Sequence, residues 1–300
     1  MKSEIRLGFI GFGEVAQSIS AGLMEVGFGD LFAYHYRGLH VSTKLQEQAK
    51  ELGVRLVGTQ NELTKECNII FNVTRTSVAR DTAFGIMPFL TKEHLYVDLN
   101  STSPLVKREI AEVFDKQGLV FIDGVLMAPL PLTKHRVPII ASGAGADRLA
   151  EILKPLEMNI EVIEGSPGTA SSIKMIRSMF MKGLATLLIE TFVAAKQSGD
   201  GYEKIMGSIR QTMDTTPFDT LMERFLTGTA KHSGRRIGEM ESALSYVSES
   251  GMVPVMTKAT NDLLQMISTA KDAQDSFLLP SNQDELYSFY KNVFTEEENR

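Results

Sequence analysis

Over its first 141 residues the chain alternates short β-rich runs with helical patterns, and this alternation restricts the fold more than any other feature. β-Branched, aliphatic and aromatic residues concentrate at 5–10, 31–36, 69–73, 95–98, 120–125 and 138–141, with a shorter run at 53–57. Between these runs, apolar residues recur at helical spacing over 14–26, 43–52, 76–87 and 104–116. Strands separated by helices pair in parallel, because each crossover returns across one face of the sheet. The first part of the chain, 1–165, is therefore expected to be α/β, a doubly wound and mostly parallel sheet.

The pattern changes near residue 165. "EGSPGTASSIKMIRSMFMKGLATLLIETFVAAKQSG" opens on Gly and Pro, runs apolar at helical spacing, and stops at Ser198-Gly199. A helix over 166–198 would be about 45 Å long by its rise per residue, which suits a connector between domains. Its methionine-rich start, "KMIRSMFM", suits an adaptable core or interface. After it no strand pattern appears, and 202–213, 217–227, 236–250 and 254–272 all read as helices. An all-helical domain over 199–300 follows, with an acidic tail, "TEEENR", that reads as frayed.

Composition excludes several classes. The chain has 300 residues, 43% hydrophobic and 23% charged, enough apolar side chain for a globular core. A formal net charge of −6 argues against a nucleic-acid partner. One cysteine, Cys67, allows no intramolecular disulfide, and the five histidines show no metal-ligand spacing, so no metal is expected. The N-terminal apolar run is short and broken by glycines, unlike a signal peptide, and no stretch approaches the roughly 18 apolar residues that span a bilayer. The expectation is a cytoplasmic protein with no membrane partner.

Within "RLGFIGFGEVAQSISAGL" the spacing Gly11, Gly13, Ala16 is G-x-G-x-x-A, set between a strand and an amphipathic helix. The first glycine permits the tight turn, the second admits a pyrophosphate to the backbone, and the small third residue lets helix and strand pack closely. The helix start adds free N–H donors and a partial positive charge. A glycine-rich turn without ligand is the alternative. At the head of a βαβ series the spacing points to a Rossmann-type domain binding a dinucleotide through Gly11, Phe12, Gly13, Glu14 and Val15. Val73 and Thr74, after a later strand, would line the same ligand. The end of the second strand, "AYHYRGLHVSTK", carries no carboxylate for a ribose hydroxyl; His35 and Arg37 stand there instead. Cationic groups fit a 2′-phosphate, so NADP is expected, with NAD as the alternative if these are solvated loop residues.

Asn100, Ser101 and Thr102 follow a strand directly, at the edge where open α/β sheets bind ligands. They would hold a carboxylate, while Ser103-Pro104 reads as an ordinary helix start. In the helical domain "KHSGRRIGEMESA" gathers Lys231, His232, Arg235 and Arg236. His232 is a candidate contact for a small anionic substrate; a solvated helix start is the alternative.

Several stretches together resemble the β-hydroxyacid dehydrogenase superfamily, which includes 3-hydroxyisobutyrate and 6-phosphogluconate dehydrogenases, and most closely its phosphogluconate-dehydrogenase-like NAD-binding branch. "GFIGFGEVAQSISAGL" is similar to its cofactor loop, "DLNSTSP" to its substrate-binding turn, and "GSPGTASSIKMIRSMFMKG" to the start of its central helix. The resemblance implies that Lys174 is the acid/base of hydride transfer between a nicotinamide cofactor and a small β-hydroxy acid, and that the chain forms a homodimer through its helical domain. Many relatives carry an asparagine one turn after the lysine; Ser178 stands there, with Lys182 one turn further, and both become substrate-binding candidates. The family's Gly-Gly pair after "D-A-P-V-S" is replaced within "DGVLMAPLP". That departure leaves imine reduction as an enzymatic alternative. A nucleotide-binding regulator without turnover is the third reading.

Overall fold

The computed structural model describes residues 5–273 and 277–295. Four-residue apolar runs become the central strands because both faces of a parallel sheet are covered by helices. In chain order the first elements are β1 (Leu7–Ile10), α1 (Glu14–Glu25), β2 (Leu31–Tyr34), α2 (Thr43–Glu51), β3 (Val54–Val57), α3 (Gln60–Glu66) and β4 (Ile69–Asn72). Then follow α4 (Ala79–Ile86), β5 (Leu95–Asp98), α5 (Pro104–Lys116), β6 (Val120–Leu126), α6 (Leu130–Thr133), β7 (Ile139–Ser142), α7 (Ala146–Leu153) and β8 (Ile160–Val162). The helical part holds α8 (Thr169–Gln197), α9 (Tyr202–Thr215), α10 (Phe218–Glu249), α11 (Val255–Asp272) and α12 (Gln283–Phe294).

The eight strands form one sheet in the order β3-β2-β1-β4-β5-β6-β7-β8. All neighbours pair in parallel except β6 and β7. Successive side chains point to opposite faces, so Leu7 and Phe9 enter one core cluster with Leu31, Val97 and Ile122. Ile10 enters the other with Phe32, Ile70, Tyr96 and Phe121. Each fully buried side chain of this kind contributes about 1.5–3 kcal/mol.

Contacts group the chain into two units, Met1–Met179 and Phe180–Arg300, the division falling inside α8. The second unit has its own small core of Ala230, Ile267, Leu286, Phe289 and Val293. Within it, the Glu190 carboxylate of α8 accepts the N–H of Met256 (2.7 Å) and of Thr257 (2.9 Å), capping the start of α11.

Several sequence expectations are corrected. The first strand begins at Leu7 rather than 5, and the second ends at Tyr34, which puts His35 in the following turn. The helix expected over 76–87 is a 3₁₀ turn, Thr76–Val78, followed by α4. The two helices expected over 217–227 and 236–250 are one, α10, kinked at His232 (φ −118°, ψ 21°). Elements α3, α6, α7, β8 and α12 were not expected; β8 is a three-residue edge strand without a fully buried residue, too short for a pattern. The 18-residue limit on apolar stretches is also corrected. Helix α8 is long and apolar enough to cross a membrane by length and composition, and little of its apolar stretch is buried. The acidic tail beyond Thr295 lies outside the described residues.

Candidate active site

The sheet order reverses between β1 and β4, and a crevice at such a switch point is where open α/β sheets take ligands. The glycine turn sits there. Gly11 has φ +96°, and a Cβ on it would lie 2.9 Å from the Val73 carbonyl oxygen, so only glycine fits. Its N–H donates to the Tyr34 carbonyl at 2.8 Å. Gly13 is the N-cap of α1, without a side-chain cap, and a Cβ on it would meet nothing within 4 Å. Uncapped N–H groups and open space beside them form a cradle that suits a pyrophosphate. Phe12 is buried, Val15 packs against the core, and Glu14 is exposed in the first turn of α1. The Gln17 side chain donates to the Phe12 carbonyl at 3.1 Å and braces the loop, a contact not foreseen.

At the end of β2, His35 Nδ1 accepts the Arg37 N–H at 3.2 Å. Partial burial, then the Arg37 charge, holds the imidazole below its ordinary pKa. His35 is therefore a neutral brace, and Arg37, exposed and 5.4 Å from the Tyr36 ring centre, is the cation of this loop. Ser42 caps α2 by accepting the Leu45 N–H.

Sequence reasoning missed a line of buried polar residues beneath the turn candidates. Asn72, Asp98, Asp123 and Ser142 are register partners on β4, β5, β6 and β7, and all are fully buried. Asn72 donates to Asp98 Oδ2 at 3.2 Å and accepts the Thr74 hydroxyl at 2.8 Å. Lys107 of α5, also fully buried, reaches Asp98 Oδ1 at 3.0 Å and Asp123 Oδ1 at 3.2 Å. Each strand shows the signal: one polar residue ends the apolar run in β4, β5 and β7 and interrupts it in β6, which a buried sheet tolerates only when that residue is hydrogen-bonded.

The turn after β5 hangs from this line. Asn100 donates its N–H to Asp98 Oδ1 at 2.8 Å, and its side-chain amide donates to the Asn72 carbonyl and to Asp98 Oδ1. Both amide hydrogens are spent inside the protein. Ser101 is exposed, while Thr102 is buried with a hydroxyl that has no partner, an orphaned donor beside the turn. Ser103 caps α5 through the Val106 N–H.

The start of α8 is pinned to the same line. Asp123 Oδ2 accepts the N–H of Gly168 (2.9 Å) and Ser171 (3.0 Å), and Ser142 Oγ accepts that of Ala170 (3.2 Å). Lys174 and Ser178 are half-buried one and two turns on, and Lys182 is exposed. In the second unit His232 is exposed at the kink of α10. Desolvation, then Lys231, Arg235, Arg236 and Lys271, holds it below its ordinary pKa. Lys271, which donates to the Lys231 carbonyl at 2.9 Å, is a member of this basic group that the sequence did not reveal. Among the described residues no group of three or more His, Cys, Asp or Glu could hold a metal ion.

A doubly wound sheet with a glycine cradle at its switch point, followed by an all-helical part, is the architecture of the nicotinamide-dependent dehydrogenases and reductases of the hydroxyacid type. Residues 6–102 match the family described as NADP oxidoreductase, coenzyme F420-dependent, and residues 202–267 match a domain of unknown function (DUF1932). An uncharacterized 28.5 kDa protein of Methanothermus fervidus is 30% identical over 263 residues, which cover 88% of this chain and 99% of that protein. Mitochondrial 3-hydroxyisobutyrate dehydrogenase of Mus musculus is 25% identical over 60% of this chain, and the match spans about half (54%) of that enzyme's length. An imine reductase from Myxococcus stipitatus, solved with NADP+, shares the fold with a TM-score of 0.72 at 16% identity, over 95% of this chain and 99% of that one. The chain belongs to the β-hydroxyacid dehydrogenase superfamily, and its first unit holds an NAD(P)-binding domain.

Proposed function

We propose that this chain is an NADP-dependent dehydrogenase of a small β-hydroxy acid, with Lys174 as general acid/base. The observation that carries the reading is the cradle: Gly11 against the Val73 carbonyl, and Gly13 facing open space at an uncapped helix start. Gly11, Phe12, Gly13 and Val15 would hold the pyrophosphate, Val73 and Thr74 the neighbouring ribose, and Arg37 the 2′-phosphate. A bound nicotinamide cofactor supplies the acceptor for the hydride. Lys174 takes the hydroxyl proton and returns it in the reverse reaction, which requires its neutral amine in one direction and its ammonium in the other. The Ser101 and Thr102 hydroxyls bind the substrate carboxylate, Thr102 contributing the buried group that lacks a protein partner.

The second unit belongs to this reading as the dimer-forming part. Ile189, Phe192 and Phe218 are 63%, 47% and 55% exposed, a set of large apolar side chains that suits burial against a partner. A second copy of the chain is the proposed cover.

The fold shared with imine reductases, together with "DGVLMAPLP" in place of a Gly-Gly grip, supports imine reduction as the second reading. Melting in parallel titrations of NADPH and NADH tests the cofactor. A ligand at 100 times its Kd adds about 2.7 kcal/mol. Stabilisation by NADPH and not by NADH is expected; the reverse makes Arg37 a bystander, and no shift with either removes the enzyme reading. Cofactor oxidation with panels of keto acids and cyclic imines separates the two chemistries. Lys174→Ala should keep the NADPH shift and lose turnover by about 10²- to 10⁴-fold.

A further inference from the structure

The line Asn72–Asp98–Asp123–Ser142 with Lys107 takes no part in the chemistry proposed above, yet it is the largest concentration of buried charge among the described residues. Two carboxylates and one ammonium removed from water give back little net stability, and apolar side chains of the same volume would serve a merely stable core as well. What the line does in this structure is connect. At its Asp98 end it fixes the turn of Asn100, through the backbone N–H and the side-chain amide. At its Asp123 end it fixes the first turn of α8, through Gly168 N–H, Ser171 N–H and the Ser171 hydroxyl (2.7 Å to Oδ1). Lys107 joins the ends, also donating to the Asp98 carbonyl at 2.7 Å.

Three hydrogen bonds accepted by Asp123 set both the height and the rotation of α8 at Ser171. Lys174 stands three residues further, on the same face of the helix as Ser171. We infer that Asp123 and Lys107 are positioning residues: they hold the helix that carries Lys174 in fixed relation to the substrate turn at Asn100–Thr102. The inference rests on the reading of Lys174 as acid/base, and it predicts that damage at Asp123 appears at Lys174 before it appears at the cofactor cradle. A misplacement of about 1 Å at a reacting group costs about 10²-fold in rate.

Asp123→Asn in the full chain is the direct test, because it keeps the shape and leaves Lys107 with Asp98 as a neutral pair. Three readouts are taken. The rate at which trinitrobenzenesulfonate modifies Lys174, followed by peptide mass spectrometry, needs no substrate; exposed Lys204 serves as the internal control. The thermal shift with NADPH reports the cradle. Steady-state kinetics are measured with whichever substrate the parent turns over. The expected result is a change of about 3-fold or more in Lys174 modification with Lys204 unchanged, an unchanged NADPH shift, and kcat lower by about 10-fold with KM changed by less than about 3-fold. Ser171→Ala, which removes only the hydroxyl bond, should move the same readouts in the same direction by less, and it carries the test if Asp123→Asn does not melt cooperatively. Parental modification rate and parental kcat in both variants would overturn the inference. Undiminished turnover in Lys174→Ala, alongside altered Lys174 modification in Asp123→Asn, would retire the acid/base reading and uphold the anchoring of α8.

Discussion

The two units treat polar and apolar surface in opposite ways. The first encloses apolar clusters on both faces of its sheet and can therefore bury Asn72, Asp98, Lys107 and Asp123 among them, each with a hydrogen-bonded partner. The second builds a small core from α10, α11 and α12 and leaves Phe218, Phe225, Ile189 and Phe192 about half exposed or more. A unit that closes its own core can specify a site to fractions of an ångström, because packing fixes the side chains that support it. Under the proposed dimer, a unit that leaves apolar side chains in water gains part of its stability on association. The difference teaches where to look for each property: ligand geometry in the first unit, concentration dependence in the second.

The largest expected effect breaks the second half of that comparison. The parent should sediment at twice the 33.1 kDa chain mass. Ile189→Asp should weaken the association by about 100-fold or more, since a carboxylate in an apolar interface costs about 3 kcal/mol before any partner is found. A parent that sediments as a single chain, with melting independent of concentration, would end the idea that the exposed face of α8 is covered by a second copy.

A smaller effect sharpens the first half. Gly11→Ala places a Cβ 2.9 Å from the Val73 carbonyl at a φ of +96°, and should lower stability by about 1–3 kcal/mol. Gly13→Ala meets nothing within 4 Å and should melt like the parent, yet weaken NADPH by about tenfold because the methyl group fills the cradle. Equal melting and equal NADPH affinity in both variants would mean that the glycine turn holds no dinucleotide.

The smallest effect concerns His135, which is 1% exposed with neither ring nitrogen bonded, packed where a Cβ on Gly22 would strike it. Lys134, paired with Glu25, and Arg136, paired with Glu157, surround it. Burial first, then Arg136, holds its pKa below the ordinary 6.5. The unfolded chain therefore binds a proton that the folded one refuses. Stability is complete above about pH 6.5 and falls as pH drops from there through the lower folded value. His135→Asn should flatten this acid limb of Tm against pH, and His35→Asn, with a shift in the same direction, should flatten it too. An unchanged limb in both would assign acid sensitivity to carboxylates.

Much of the first unit was legible in the sequence, and for local reasons. The spans 95–98 and 104–116 are the observed β5 and α5, because an apolar strand run and a Ser-Pro start are encoded by neighbouring residues. The glycine turn was legible because its geometry needs particular residues at fixed spacing. The polar line was not, because register brings together residues 26 and 25 positions apart (Asn72 to Asp98, Asp98 to Asp123), and spacing says nothing of that. Asp123 read as part of a strand and stands in β6, but its second role, accepting N–H groups of a helix start 45 residues downstream, left no local mark. In the second unit α12 was missed although Asn282 accepts the Glu285 N–H, a start signal visible in "SNQDELYSFY". The kink at His232 was read as a gap between helices, since nothing local distinguishes a break from a bend.

Two buried carboxylates sharing one ammonium also constrain how this sequence can diverge. Losing Lys107 first strands two like charges in the core, whereas losing Asp123 first leaves a neutral pair. Substitutions at these positions are therefore strongly epistatic, and a lineage sheds the charges with least cost by losing one carboxylate first and then the remaining carboxylate and Lys107 together.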